Sequence, residues 1–402
     1  MKAIRITALS FIFILVYTFS NAQPITKNAE ISLFTCSSGE ELYSVFGHSA
    51  IRVKDSTTGT DIVFNYGVFD FDTPNFYWKF VRGKLMYQLA IQQTYRFLQI
   101  YKYEGRSVKE EYFNLTTKEK EALIAFLKKN YQPENRYYLY DFFYKNCSSI
   151  IWDVVTPQIN DKLHFDSTTY QPKSFRQMLH PPLEEMPWSK FGIDIALGLP
   201  ADKTASFTEQ MFLPSYLSKN MRHAYRNQPV NGSKRILREG KKLIEKDESA
   251  SSFIFFTPSH IFWAVFILIL GMTLFIPKHR ITKTTDYVFF TLQGLLGLLL
   301  LFLWFGTDHS AMNTNINILW GNPFAIILIF FINKKQQPVK FATLVILLLS
   351  ALLTLLGWNL LPQQFNPAFI PISFSVILRA SEHLMWIYKG RGISSLIWRQ
   401  GS

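Results

Sequence analysis

Residues 287–305 read YVFFTLQGLLGLLLLFLWF, nineteen positions without a charge. A helix of about 20 apolar residues spans the hydrocarbon core of a bilayer, so this stretch predicts a membrane helix. Three more runs share its character: 254–276, 318–332 (extended at its start by 315–317) and 341–361. A fifth, 369–388, is interrupted by Arg379, Glu382 and His383. The connecting loops set the orientation. Lys278, Arg280 and Lys283 follow the first run, Lys334, Lys335 and Lys340 the third, and Lys389, Arg391 and Arg399 the fifth. Loops 306–315 and 362–367 contain no Lys or Arg. That alternation is the positive-inside pattern, and it predicts five crossings with the N-terminal domain outside and the C-terminus in the cytoplasm. Trp304, Trp320 and Trp358 are expected at the outer ends and Trp386 near the inner one, as an aromatic belt.

The chain has 402 residues and a net charge of +13, yet only 18% are charged while 48% are hydrophobic. Disorder is excluded, because that much apolar surface would be left in water. A soluble nucleic-acid binder is disfavoured, since basicity there comes with a high charged fraction. Ten of the Lys and Arg lie in residues 253–402 against three acids, so much of the excess is a topology signal. Two cysteines do not make a disulfide scaffold.

Residues 1–22 read as a secretory signal: Lys2 and Arg5, an apolar stretch, then Ser20-Asn21-Ala22 as a small-x-small cleavage site. Gln23 follows in place of a Cys, so a lipoprotein is not expected. The organisation expected is a signal peptide over 1–22 and a periplasmic catalytic domain over 23–218. A basic juxtamembrane connector over 219–252 and a five-helix transmembrane domain over 253–402 complete it. Within the exported part, Ser49–Val53 alternates, a turn follows at 55–60, and 62–66 repeats the pattern, which predicts a hairpin. Thr116-Thr117-Lys118-Glu119 is a capping box opening a helix to Asn130. The class is therefore α+β, followed by an all-α membrane domain.

The chemistry lies in the exported part. Phe46-Gly47-His48-Ser49 puts a His at the start of a strand, and Lys145-Asn146-Cys147-Ser148-Ser149-Ile150 puts a Cys where a helix begins. Unpaired N–H groups at a helix start favour the thiolate, the nucleophilic form. A His within reach takes the thiol proton and returns it to a leaving group. The hairpin would bring Asn65 beside His48, making it a candidate orienter. Cys36 leaves a second outcome open, a Cys36–Cys147 disulfide in an oxidising compartment. The chain lacks His-x₃-His, Cys-x₂-Cys and phosphate-cradling glycine loops, so no metal or cofactor is expected.

These residues carry a resemblance. Thr35-Cys36-Ser37-Ser38-Gly39-Glu40-Glu41-Leu42-Tyr43-Ser44-Val45-Phe46-Gly47-His48 resembles the opening of the Lnb-type bacterial lipoprotein N-acyltransferases. So do Asp70-Phe71-Asp72-Thr73-Pro74-Asn75-Phe76-Tyr77, Tyr103-Glu104-Gly105-Arg106, Asn146-Cys147, Pro187-Trp188 with Gly192-Ile193-Asp194, Asp308-His309 and Asn317-Ile318-Leu319-Trp320. The resemblance implies a circularly permuted papain-like thiol fold, with the His strand before the Cys helix. It implies Cys147 as nucleophile and His48 as base. The reaction implied moves an acyl chain from a membrane phospholipid, through a Cys thioester, to the α-amine of a diacylglyceryl-cysteine lipoprotein. The setting implied is the bacterial inner membrane.

Tyr144 and Asn146, beside the Cys, and Arg235, in the basic stretch, are candidate substrate contacts for the acyl chain and the anionic headgroup. Asp308 and His309, in the first outer loop, are candidates to face the site. Two other readings use the same residues: a membrane-anchored papain-like hydrolase acting on cell-wall or peptide substrates, and a non-catalytic anchor protein with a Cys36–Cys147 disulfide.

Overall fold

The computed structural model describes residues 28–246, 256–276, 280–334 and 337–389, so the expected signal at 1–22 lies outside the described residues. The chain begins with β1 (Glu30–Cys36), β2 (His48–Asp55) and β3 (Thr60–Val68), the last two forming the expected hairpin. Then come α1 (Phe76–Val81), β4 (Met86–Gln93), α2 (Thr94–Tyr103), β5 (Val108–Phe113), α3 (Thr117–Asn130), β6 (Tyr137–Leu139) and α4 (Ser149–Val155). Short elements follow: β7 (Leu163–Phe165), α5 (Phe175–Leu179), α6 (Pro187–Ala196), α7 (Pro214–His223), β8 (Ala224–Val230), β9 (Ser233–Arg235) and β10 (Leu237–Ile244). The C-terminal part holds α8 (Pro258–Phe275), α9 (Arg280–Phe305), α10 (Pro338–Leu356) and α11 (Phe369–Lys389).

Seven strands form an antiparallel sheet in the order β10-β5-β1-β2-β3-β4-β6, and β7-β8-β9 form a second, small one. Alternate residues of β1, β2 and β3 (Ile31, Leu33, Ile51, Val53, Phe64) turn one face inward against Leu123 and Leu127 of α3, Ile151 of α4 and Leu217 of α7. The capping box forms as read: Thr116 accepts from the Glu119 amide at 3.3 Å, and Glu119 accepts from the Thr116 amide at 2.8 Å. Glu119 serves twice, because its carboxylate also pairs with the buried Arg226 of β8.

Residues 219–246 of the stretch expected as a basic connector are described, and most of them are folded. Its core, residues 224–244, makes β8, β9 and β10, and β10 closes one edge of the main sheet on β5. It reads as polar because only Leu237 of β10 is buried. Charge on an edge strand discourages pairing with other chains, and Lys241 sits opposite Glu110.

Among the described residues of the C-terminal part, three helical segments are long and apolar enough to cross a membrane: 258–275, 282–305 and 338–356. The run at 318–332 is not one straight helix. Segments 310–319 and 323–331 meet at 58°, broken at Gly321-Asn322-Pro323, where Pro323 has no amide to continue a helix and Asn322 caps the next turn. α11 carries polar residues, and they are answered inside the bundle. Arg379 makes two bonds to Asp286 of α9, at 2.6 and 2.7 Å, and one to Thr273 of α8, while His383 reaches the same aspartate at 2.9 Å. Buried ionic groups persist only when paired and hydrogen-bonded. Trp320 differs from its belt expectation. It is buried, stacks on Phe369 at 4.1 Å and donates to Asn317.

The two parts are clasped together. Arg176 of α5, 1% exposed in its side chain, bonds Asp194 of α6 at 3.0 Å and Asp202 at 2.9 Å. Asp194 also accepts from Asn366 at 2.8 Å, and its carbonyl accepts from Asn317. Buried Asn315 donates to the Ile195 and Ala196 carbonyls at the end of α6. At Gly198 a Cβ would lie 1.9 Å from the Asn313 carbonyl oxygen, so only glycine permits this approach. Removing Arg176 leaves buried Asp202 without its cation and Asp194 with only His180 as a cationic partner, a class of change that costs about 3–5 kcal/mol. Arg176→Ala is therefore expected to lower the thermal unfolding midpoint of the full-length protein in detergent sharply, whereas an unchanged midpoint would mean that the clasp does not hold the parts together.

Candidate active site

The site forms where three strands and a helix start converge. His48 is the first residue of β2, directly opposite Cys36 at the end of β1. Asn65 lies on β3, and between Asn65 and Val68 the register with β4 slips in a bulge. Bulges re-aim a strand, and this one brings Gly67 against the start of α4. Gly67 has φ +90°, and a Cβ there would sit 3.3 Å from the Cys147 Cβ and 3.9 Å from the His48 ring. Glycine is needed for both the conformation and the space.

Cys147 lies two residues before α4, next to the N-cap Ser148. Asn146 fastens that turn: its side-chain oxygen accepts from the Ser148 and Ser149 amides at 2.8 and 3.0 Å, and its amide donates to the Phe142 and Phe212 carbonyls. Both donors and both lone pairs are used, so Asn146 has nothing left for a substrate and acts as a fastener. The His48 Nε2–H donates to Asn65 Oδ1 at 2.6 Å, which leaves Nδ1 for the thiol. The sequence-predicted trio Cys147, His48 and Asn65 is thus brought together.

The electrostatics fit that arrangement. Burial raises the Cys147 thiol, but the charge and hydrogen bond of His48, the Ser49 amide and the Ser148 hydroxyl outweigh it and hold the group below its ordinary value. Burial works against a charged His48, but the facing sulfur and the bonds from Cys147 and Asn65 raise it above its ordinary value. Each group thus stabilises the charged form of the other. The helix start contributes less than the sequence suggested, because α4 has only seven residues and the imidazole is the main partner.

Cys36 is in a different environment. Burial pushes its thiol up to about 12, despite a Tyr101 hydrogen bond and the Arg106 charge. It stays protonated and inert. Both cysteines are free, so the disulfide left open by the sequence is not formed.

The Cys–His pair opens into a half-open cavity of about 750 Å³. Its walls are mainly apolar, with Phe46 and Phe69 from strand ends and loops, Phe80 and Leu85 around α1, and Ile100 of α2. Residues 309–312, from the loop after α9, complete it. His309 therefore faces the cavity, donating to the Phe80 and Val81 carbonyls, while Asp308 pairs with Lys84 at 3.6 Å, both groups about half exposed. Tyr144 and Arg235 are elsewhere. Tyr144 packs its ring on Phe143 and Phe175, and Arg235 lies on β9, donating to the Arg222 carbonyl. The walls from α1 and α2 were not singled out in the sequence. Their only signal is the aromatic density of residues 69–80.

The pair gives a pH signature. The thiolate forms as pH rises through the lowered cysteine value, and the imidazolium is lost only above the raised histidine value. Alkylation of Cys147 by iodoacetamide should therefore set in below the ordinary thiol pKa of about 8.5. His48→Ala should move the onset up toward that value, with Cys36 unmodified in both proteins. Onset at the ordinary value in the unaltered protein would refute the pair. Gly67→Ala forces a side chain into left-handed backbone at about 1–2 kcal/mol and onto the sulfur-bearing carbon, so it should slow alkylation about tenfold or more. An unchanged rate would mean the bulge does not shape the site.

Residues 18–181 match the family model described as the Lnb N-terminal periplasmic domain, and residues 248–391 match that of the Lnb transmembrane domain. No curated protein and no solved structure matches the chain. The two models lie in order along one chain, so the protein is an integral membrane protein of the Lnb family, with a periplasmic N-terminal domain and a membrane-spanning C-terminal one.

Proposed function

We propose that this protein is a lipoprotein N-acyltransferase, with Cys147 as nucleophile, His48 as its acid–base partner and Asn65 orienting the imidazole. The observation that carries this reading is the opening of the Cys147–His48 pair into an apolar cavity walled in part by the membrane domain's own loop. In this reading the periplasmic domain has a circularly permuted papain-like fold, with the His strand ahead of the Cys helix. The membrane domain crosses the inner membrane five times, counting the bent segment and α11, and ends in the cytoplasm.

The geometry supports the following steps. The Cys147 thiolate attacks an ester carbonyl of a phospholipid. As the tetrahedral intermediate collapses, the ester C–O bond breaks, and the imidazolium protonates the departing lysophospholipid oxygen. The acyl chain remains as a Cys147 thioester. The α-amine of a diacylglyceryl-cysteine then attacks, neutral His48 takes its proton, and the thiolate leaves. This is a two-step ping-pong cycle. Hydrolysis is the competing fate of the thioester, and an apolar cavity of this size, within the about 300–1,000 Å³ range of ligand pockets, disfavours water there. A thiol hydrolase would use the same pair but has no need of a wall from the membrane domain.

The test is intact mass spectrometry of the full-length protein after incubation with phospholipid of defined chains. One acyl increment should appear on the protein, be absent from Cys147→Ala, and be discharged by a diacylglyceryl-cysteine peptide. His48→Ala should slow its formation by about 10²–10⁴. Failure to see an increment in the unaltered protein would overturn acyl transfer. Discharge at the same rate without the peptide would point to the hydrolase.

A further inference from the structure

The short helix α1 exposes more aromatic surface than a water-facing element should. Tyr77, Trp78, Phe80 and Val81 are 77, 58, 50 and 41% exposed, and Phe71 just before them is 67% exposed. Contiguous exposed apolar patches of this kind mark a contact surface. What covers this one follows from where it is fastened.

α1 is fixed to the end of a membrane helix. The Asp308 amide donates to the Arg82 carbonyl at 2.9 Å, and Arg82 Nε donates to the Gly306 carbonyl at 3.1 Å. Gly306 is the first residue after α9. Trp78 stacks over Phe302, at 6.1 Å and 24°, nearly one helical turn inside that end. The exposed rings thus lie level with the outer end of a bilayer-crossing helix, beside the 73% exposed Phe305. Basic groups flank them: Lys79, Arg82, whose guanidinium lies over Trp78, and Lys84. Apolar rings flanked by cations are the pattern of an element lying in the membrane interface. Phe80 and Leu85 line the cavity from the same segment, and residues 309–312 line it from the loop to which α1 is bonded.

We propose that α1 is a wedge inserted in the periplasmic leaflet, and that the seam between it and residues 306–312 admits a phospholipid acyl chain sideways from the bilayer into the cavity. The occupant of the exposed face is the membrane's own phospholipid. Insertion stands on the placement of α1 alone, whereas the passage of a donor chain rests on the acyl-transfer reading.

Two measurements on the full-length protein in vesicles test it. In a Cys36→Ser, Cys147→Ser background, a fluorophore on Tyr77→Cys should be quenched at least twofold by brominated phosphatidylcholine. The same fluorophore on Lys128→Cys, on exposed α3, should not be. Equal responses at the two positions, or quenching at position 77 that depends on protein concentration and not on bromine, as a second protein copy would cause, overturn the wedge. In the otherwise unaltered protein, Tyr77→Asp with Trp78→Asp should slow thioester formation from bilayer phospholipid tenfold or more, with iodoacetamide alkylation of Cys147 changed less than twofold. Unslowed thioester formation overturns the portal, and a parallel loss of both rates assigns the rings a structural role only and overturns it too. If the unaltered protein forms no thioester, acyl transfer fails and with it the cargo, while the quenching result still decides insertion.

Discussion

The buried clasp centred on Arg176 and Asp194 is the constraint on which the rest of the arrangement depends. A thiol site formed only from the periplasmic sheet would have no fixed height above the membrane. Here Arg176 joins α5 to α6, and Asp194 and its neighbouring carbonyls are bonded to Asn315, Asn317 and Asn366 of the membrane part. Burying such ions is costly unless each is paired and hydrogen-bonded. Burial raises the Asp194 carboxyl, but His180, Arg176 and Asn366 together hold it below its ordinary value, so it remains the anion that the clasp requires. With α6 and residues 306–320 locked, the loop after α9 becomes a wall of the cavity and not a tether.

The same economy of polar groups recurs at each level. Asn146 spends all its hydrogen bonds positioning the turn that holds Cys147. Glu119 caps its own helix and pairs with Arg226. Asp286 collects Arg379 and His383 within the membrane bundle. In each case a residue that looks like a functional candidate is occupied by structure. The Cys147–His48–Asn65 row differs because it ends in open apolar space.

The two cysteines show why residue type alone does not assign chemistry. Both sit beside the same histidine, Cys36 across the strand pair and Cys147 against its ring. Burial raises both thiols, and only at Cys147 do its partners, the imidazole, the Ser49 amide and the Ser148 hydroxyl, outweigh it.

Local pattern was enough for much of this. Apolar run length and the alternation of Lys and Arg reveal a membrane part, the 55–60 turn reveals the β2–β3 hairpin, and the Thr116–Glu119 spacing reveals the start of α3. Those properties depend on residues a few positions apart, so the chain states them directly. His48 and Cys147 were legible as candidates for the same reason: each stands at the boundary of a local element. Tertiary structure alone decided which charges were spent. The basic stretch at 237–244 became a sheet edge, with Lys241 facing Glu110, because a strand partner over a hundred residues away supplies its hydrogen bonds. His309 and Phe80 were drawn together at the site by contacts between segments more than 200 residues apart, while Tyr144 and Arg235 are held elsewhere by nearer neighbours. Periodicity records which face of an element is apolar. It carries no record of which distant element covers that face, and the cavity beside Cys147 is made of such pairings.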